Sequence, residues 1–159
     1  MPANPRSIDD LDARLILELQ DEPRLGVMEL ARRLGVARGT ANARLEKLQR
    51  SGVIRGFGPD IGLDPLGYPV MAFTTLEVNQ GRTGELLERL ASVPEVLEVH
   101  TIAGQGDLLI RVVAQSNEHL FAVLEDVLAT PEISRTSTAI VLAEHVGYRT
   151  GPLVEGFRE

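Results

Sequence analysis

The segment from residue 38 to residue 50 contains Arg38 and Asn42, whose side chains can form bidentate hydrogen bonds with guanine and adenine edges, respectively. The two residues are four positions apart, so they lie on one face if the segment is helical. Arg44 and Lys47 lie further round such a helix and suit phosphate contacts. Any solvent-exposed helix carries charges of this kind, so the prediction needs support from neighbouring elements. The predicted DNA-contacting residues are Arg38, Gly39, Thr40, Asn42, Arg44 and Lys47.

The neighbouring residues supply that support, because they predict two short amphipathic helices joined by a tight turn. Apolar residues recur at helical spacing in two sets, namely Met28, Leu30, Ala31 and Leu34, and then Ala41, Leu45 and Leu48. Gly35 lies between the sets, where the end of a helix favours a residue with positive φ. This layout is typical of a helix-turn-helix, whose second helix lies in the major groove of DNA.

The charge distribution points to the same segment. Residues 24–58 carry eight basic and two acidic side chains, a balance of plus six, in a chain whose formal net charge is −7. A basic segment within an acidic protein indicates where phosphates would bind. The segment therefore favours double-stranded DNA as a partner.

Several other functional classes find little support in the residues. The chain has no cysteine, which excludes disulfides, thiolate zinc sites and cysteine nucleophiles. His100, His119 and His145 lack metal-ligand spacing. We find no nucleophile–base pair, phosphate-binding loop or metal cluster, so we expect no catalysis, no metal and no cofactor. No apolar run approaches about 18 residues and no signal-peptide core is apparent, so we expect a cytoplasmic, nucleoid-associated bacterial protein that does not enter a membrane.

The chain order suggests an N-terminal DNA-binding domain followed by a linker. Ser7 is placed to cap a first helix, which carries the apolar stripe Leu11, Leu15, Ile16 and Leu19 and ends at Pro23. Residues 53–59 predict a short strand and turn, as in a winged helix-turn-helix. Glycine and proline then recur, which indicates a boundary. The predicted divisions are a helix-turn-helix domain at 1–58, a linker at 59–69, a second domain at 70–146 and a tail at 147–159.

The second domain changes to strand-forming sequence. Strands are predicted at 70–78, 96–103, 108–114 and 134–143, with helices at 84–91 and around 120–128, the second capped by Asn117. The order βαββαβ is that of the ferredoxin-like fold, so the fold class is α+β. Two helices on one face leave the other face of the sheet uncovered. That face carries apolar residues, so we expect it to contact a second subunit, and the tail to pack on a partner or on the chain itself.

The two halves together resemble the Lrp/AsnC family of transcriptional regulators over nearly the whole chain. The opening pattern of the family appears as Ile8 to Ile16, and the pattern of its recognition helix appears as Val36 to Leu48. Gly-Val-Ile follows at 52–54, Pro-Glu-Val at 94–96 and the Gly-x-x-Asp hairpin at 104–107. Ala37 departs from the family, which usually has serine there. Alanine at a helix N-cap costs about 1 kcal/mol relative to serine and removes one phosphate contact.

The resemblance implies dimers, often assembled into octamers, and a small amino-acid effector bound between dimers near the hairpin. Gly104 and Gly106 would let backbone N–H groups approach a carboxylate. Asp107 would either hold the ammonium group or brace the turn. Hydroxyls of Ser134, Thr136 and Thr138 on the last strand would either reach the ligand or simply face solvent. The predicted effector-binding residues are Gly104, Gly106, Asp107, Leu108, Thr136 and Thr138.

The leading interpretation is therefore a sequence-specific DNA-binding regulator tuned by a small amino acid. The alternative is an architectural protein that binds DNA with low sequence specificity and without an effector. The two interpretations differ in the ratio of specific to non-specific affinity, not in DNA binding itself.

Overall fold

The computed structural model describes residues 8–79 and 83–158. They divide into two compact units, the first formed by residues 8–59 together with 146–158, and the second by residues 60–145. The chain thus leaves the first unit once and returns to it at its C-terminal end. The second unit is continuous in sequence and contains all the strands of the described structure.

The first unit begins with α1 (Asp10–Asp21), whose N-cap is Asp9. The carboxylate of Asp9 accepts a hydrogen bond from the backbone N–H of Asp12 at 2.9 Å, and the carboxylate of Asp12 accepts one from the backbone N–H of Asp9 at 3.4 Å. This reciprocal arrangement satisfies two backbone donors at the helix start. The predicted cap, Ser7, lies outside the described residues. Leu15 and Ile16 are buried as the stripe predicted, and they pack against Leu30, Leu34 and Leu48.

The predicted helix pair is present as α2 (Val27–Leu34) and α3 (Arg38–Arg50). Gly35 has φ of 70°, and the backbone N–H of Val36 donates to the carbonyl of Ala31 at 3.0 Å, which ends α2 with a left-handed turn. Residues 53–59 form no strand in the described structure, and the backbone N–H of Ile54 instead donates to the carbonyl of Leu48 at the end of α3, at 3.1 Å. The predicted short wing strand is therefore wrong for this part of the chain.

The C-terminal tail folds back onto the first unit. A short helix, α6 (Gly151–Glu155), packs on α1, and the side chains of Val154 and Phe157 pack against the core of the first unit. The amide of Gln20 donates a hydrogen bond to the hydroxyl of Thr150 at 3.0 Å. Of the two alternatives for the tail, the structure shows packing on the chain itself.

The second unit is a four-stranded antiparallel sheet with two helices, in the predicted order βαββαβ. Its elements are β1 (Val70–Val78), α4 (Thr83–Ser92), β2 (Val96–Thr101), β3 (Leu108–Ala114), α5 (Asn117–Leu128) and β4 (Ile133–Ile140). The strands lie in the order β2-β3-β1-β4. The cap of α5 is Ser116, one residue before the predicted Asn117. The α+β fold class and the ferredoxin-like topology are confirmed.

The predicted linker is an ordered turn of the second unit. The backbone N–H of Tyr68 donates to the carbonyl of Leu63 at 2.9 Å, and that of Gly67 donates to Asp64 at 3.0 Å. The ring of Tyr68 also contacts the ring of His119, with centroids 6.4 Å apart. Residues 63–68, which are part of the predicted linker, therefore form a turn.

The two faces of the sheet differ in what covers them. Alternate residues such as Ala72, Leu76 and Ile110 are fully buried against α4 and α5. On the opposite face Phe73 is 37% exposed, and it lies opposite Arg111 on β3. The guanidinium Nε of Arg111 is buried and has no hydrogen-bond partner among the described residues.

Candidate nucleic-acid interface and candidate ligand pocket

The exposed face of α3 carries the residues predicted to contact bases. Ala41 and Leu48 are buried, while Arg38, Gly39, Thr40 and Asn42 are exposed in the first two turns. The N-cap is Ala37, which supplies no side-chain hydrogen bond, and the first turn has no acidic residue. The start of α3 thus leaves backbone N–H groups available to an external acceptor such as a phosphate.

Arg44 and Lys47, predicted to contact phosphates, pair instead with α1 across the unit. Arg44 contacts the carboxylates of both Asp9 and Asp12, and the ammonium of Lys47 lies 3.0 Å from Asp12. The side chain of Asp12 is fully buried, whereas those of Arg44 and Lys47 are 31% and 48% exposed. Both cations therefore hold α3 in place, and their predicted phosphate contacts stay a prediction.

The same ion pairs affect the ionisation of Asp9. Its pKa lies below the usual value because its carboxylate accepts the backbone N–H of Asp12 and also pairs with Arg44. In turn, the carboxylates of Asp9 and Asp12 raise the pKa of Arg44. The lowered pKa of Asp9 and the raised pKa of Arg44 both favour the charged forms, so this contact between the start of α1 and α3 is ionic.

A second ionic cluster involves Arg32 and Arg33 at the end of α2. Arg32 bonds Glu29 at 2.7 Å, and Arg33 bonds Glu29 and Glu18, each at 3.1 Å. Hydrogen bonds from Arg32 and then Arg33 lower the pKa of Glu29 to about 2. Arg32 thus pairs within α2, whereas Arg33 links α2 to α1 through Glu18.

These ion pairs reduce the positive charge that the basic segment can offer to DNA. The balance of plus six ignores the acidic residues of α1, and residues 8–59 as a whole carry nine basic and eight acidic side chains. Among the arginines of residues 8–59, four have no acidic partner in the described structure, namely Arg24, Arg38, Arg50 and Arg55. The available positive charge is therefore concentrated on a few side chains, two of which belong to α3.

A polar pocket of about 660 Å³ lies in the second unit, beside the predicted hairpin. Its lining consists of hairpin residues 104–107, the β1 residues Thr75, Glu77 and Val78, and residues 134–137 of β4. Three separate segments thus meet there, and most of the side chains carry hydroxyl or charged groups. A pocket of this size could hold a small metabolite.

Two glycines shape the hairpin. Gly106 has φ of 91°, and a Cβ at this position would lie 2.3 Å from Cγ2 of Thr75 and 3.1 Å from the carbonyl oxygen of Leu76. Any larger residue would push the hairpin away from β1. Gly104 also has a positive φ, of 137°. In the described structure the N–H groups of Gly104, Gln105 and Gly106 donate no hydrogen bond, so they are available to an anionic ligand.

Asp107 braces this hairpin, one of the two roles predicted for it. Its carboxylate Oδ2 accepts the backbone N–H of Val78 at 2.7 Å. Its own N–H donates to Leu76 at 2.8 Å, and its carbonyl accepts the N–H of Ile102 at 3.0 Å. The residue therefore ties the hairpin to β1.

The structure brings together four of the six predicted effector-binding residues, namely Gly104, Gly106, Asp107 and Thr136. Leu108 is 1% exposed in the core, and the hydroxyl of Thr138 bonds that of Thr74 at 2.9 Å, so neither lines the pocket. The predicted row with Ser134 is broken, because the register shifts between Glu77 and Val78.

Glu77 and Arg135 line the pocket but were not predicted from the sequence. They lie opposite each other on β1 and β4, with the carboxylate and guanidinium 3.9 Å apart. Strand pairing between distant segments would have been needed to find them. Within each strand, a single charged residue did not indicate a binding site.

Among residues 8–79 and 83–158, no helix combines the length and apolar character needed to cross a membrane. Within the same described ranges, no three histidine, aspartate or glutamate side chains cluster as a metal site would require.

Two family models match the two parts of the chain. Residues 8–55 match a model described as winged helix-turn-helix DNA-binding, and residues 71–150 match one described as Lrp/AsnC ligand binding domain. The second match spans half of the sequence. The matched ranges follow the helical region and the sheet region described above.

Relatives match over nearly the full length. The HTH-type transcriptional regulator FL11 of Pyrococcus abyssi is 32% identical over 139 residues, which cover 87% of this chain and 92% of that protein. AldR, another HTH-type transcriptional regulator, from Mycolicibacterium smegmatis, is 32% identical over 89% of this chain and 84% of its own length. The solved structure of E. coli AsnC is 30% identical and superposes with a TM-score of 0.84, covering 91% of this chain and 99% of that one.

Proposed function

Because the chain belongs to the Lrp/AsnC family and is a DNA-binding transcriptional regulator with a ligand-binding domain, we propose that it recognises a specific operator through α3. The observation that carries this proposal is the exposure of Arg38 and Asn42 on one face of a helix that is otherwise anchored by buried contacts. Arg38 has no acidic partner in the described structure, so its guanidinium is available to a guanine. Gly39 beside it has open space around its Cα and leaves room for close approach.

DNA binding by variants of α3 tests this proposal. An operator is first selected from random DNA, and affinities are then measured by fluorescence anisotropy at fixed salt. Arg38→Ala should weaken operator binding by about 1–3 kcal/mol and relax specificity at one position. Arg50→Ala should weaken operator and random DNA alike. Arg149→Ala, in the tail, is the matched control and should bind as wild type.

Two outcomes would contradict the proposal. Unchanged operator binding by Arg38→Ala would show that α3 does not contact bases there. Equal affinity of the wild-type protein for operator and random DNA would favour the architectural alternative, in which DNA is bound with low sequence specificity.

We also propose that a small amino acid binds the polar pocket and modulates DNA binding. The free N–H groups of Gly104, Gln105 and Gly106 support this, because such groups bind carboxylates well. A structural neighbour from Neisseria meningitidis, 20% identical with a TM-score of 0.79, was solved as a complex with L-Met. A thermal-shift screen of amino acids tests the proposal, since a ligand of the folded state raises the melting temperature. No shift at millimolar concentration would contradict it.

The uncovered sheet face supports a further proposal, that the chain assembles at least as a dimer through this face. Phe73 is partly exposed there, and the buried Nε of Arg111 lacks a partner in the described structure. A second copy would cover the apolar side chain and supply acceptors. Phe73→Asp should lower the mass measured by light scattering, whereas Phe121→Asp on the helical side should leave a dimer. A wild-type monomer would contradict this proposal.

A further inference from the structure

We infer that Glu77 and Arg135, rather than Asp107, recognise the charged groups of the ligand, and that the pocket selects an α-amino acid with a short, oxygen-bearing side chain. The inference rests on the effector site proposed above and specifies its ligand. In this arrangement the ligand carboxylate lies on the hairpin N–H groups, its ammonium group beside Glu77 and its side-chain oxygen beside Arg135.

The side chain and the backbone of Asp107 already form hydrogen bonds within the second unit. Its carboxylate holds the N–H of Val78, and its backbone bonds both Leu76 and Ile102. An ammonium group drawing this carboxylate away would leave the N–H of Val78 without its acceptor and loosen the hairpin. Oδ2 of Asp107 is therefore engaged in the fold, and the residue is suited to positioning the N–H groups of the hairpin.

Glu77 is in a different situation. Within the described residues its carboxylate has one charged neighbour, Arg135, at 3.9 Å, which is longer than a hydrogen bond. The two side chains are 47% and 77% exposed, and such pairs contribute little to folding. A ligand with an ammonium group and a carbonyl or carboxylate oxygen can insert between them and give each a closer partner.

The backbone beneath this pair fixes where the side chains project. Glu77 pairs with Arg135 and Val78 with Ile133, so Ser134 is the extra residue of a β-bulge in β4. The hydroxyl of Ser134 donates to the carbonyl of Glu77 at 3.1 Å and holds the irregular backbone. Bulges of this kind re-aim side chains next to binding sites. Glu77 and Arg135 therefore occupy defined positions in the pocket wall.

The remaining lining determines the class of ligand side chain. Hydroxyl groups dominate this part of the lining, from Thr75, Ser134, Thr136 and Ser137. Val78 adds a branched apolar side chain to the same wall. Leucine or methionine would bury little apolar surface against this wall and so gain little affinity. An amide or carboxylate oxygen, by contrast, can accept from the guanidinium of Arg135, which favours planar oxygen acceptors. Aspartate and asparagine fit this chemistry.

Calorimetry on the full-length protein tests the inference with L-aspartate, L-asparagine, L-serine, L-leucine and L-methionine. Wild type should bind aspartate or asparagine at least about tenfold more tightly than leucine or methionine. Glu77→Gln should lower the affinity for every bound amino acid by about tenfold or more, because the ammonium group loses a charged partner. Arg135→Gln should lower aspartate binding by about tenfold and change serine binding by less than about twofold.

Glu88→Gln, an exposed substitution on α4, is the matched control and should bind as wild type, with circular dichroism verifying the fold of every variant. Unchanged affinity in folded Glu77→Gln, or a preference of wild type for leucine or methionine, would overturn the inference while leaving the effector site in place. Absence of binding by all five amino acids would also overturn the inference, whereas absence of a shift across the whole amino-acid screen would overturn the proposed effector site as well.

Discussion

Replacing Asp12 by alanine should destabilise the first unit and weaken DNA binding, although Asp12 is too deeply buried to contact DNA. Its carboxylate accepts from Lys47 at 3.0 Å and from Arg44 at 3.1 Å, and it also forms part of the cap of α1. The substitution therefore removes the shared anion that joins α1 to α3. Arg44 retains Asp9, whereas Lys47 loses its described acidic partner.

The size of the effect follows from burial. Removing one partner of a fully buried ion pair destabilises by about 3–5 kcal/mol. Arg44 and Lys47 are partly exposed and can turn towards water, so we expect a lower loss of about 2–3 kcal/mol. Asp12→Asn keeps the volume and one acceptor, and should lose about 1–2 kcal/mol. A small unit stabilised by about 5–15 kcal/mol would lose a substantial fraction.

Hydrogen exchange read by mass spectrometry localises this loss, while thermal melting followed by circular dichroism measures its size. Asp12→Ala should speed exchange in α1 and α3 and leave β1 and β3 unchanged. Asp21→Ala, an exposed substitution at the end of the same helix, is the control. Wild-type stability and exchange in Asp12→Ala would refute the reasoning, since the buried carboxylate would then contribute nothing to the contact between the helices.

Three further predictions concern the tail, pH and the hairpin. Phe157→Ala should destabilise the first unit by about 1–2 kcal/mol, which is less than the loss of a fully buried phenylalanine side chain, and should speed hydrogen exchange in α1. The control is Leu153→Ala, which should have little effect because Leu153 is 73% exposed. Equal effects of the two substitutions would contradict the packing of Phe157 on the first unit. In the folded protein the pKa of Glu29 is about 2, against a reference of 4.5, so its contribution to folding stability is present above pH 4.5 and is lost as pH falls towards 2. Glu29→Gln should therefore flatten the decline in melting temperature across that pH window. Parallel melting-temperature curves for wild type and variant would refute the pairing of Glu29 with Arg32 and Arg33. Gly106→Val should displace the hairpin, lower the stability of the second unit by about 1–3 kcal/mol and abolish ligand binding. The control, Gly84→Ala, should have none of these effects. A Gly106→Val variant that folds and binds ligand as wild type does would refute the close contact with Thr75.

Much of this fold follows from local sequence signals. The apolar repeats at helical spacing gave α1, α2 and α3, and Gly35 marked the turn between the last two. Alternating strand-forming residues likewise predicted β1 and β3 at their observed bounds. These signals are local because side-chain periodicity and backbone conformation are set within one element.

Features that depend on distant contacts were not predicted. The tail sequence around Val154 and Phe157 has no clear helical period. The burial of these two side chains follows only from the packing of the tail on the first unit. Arg44 and Lys47 were assigned to phosphates because the chain gives no sign that Asp12, more than 30 residues away, is buried between them. Glu77 and Arg135 likewise become neighbours only through the pairing of β1 with β4.

We propose that α3 binds an operator and that its affinity for the operator depends on an amino acid in the pocket of the second unit. The most direct test is the operator dissociation constant of the wild-type protein, measured by anisotropy with and without a saturating amino acid taken from the screen. We predict a change of at least about fivefold, the lower end of typical coupling between two sites. An operator affinity that is identical with and without the bound amino acid would contradict the claim.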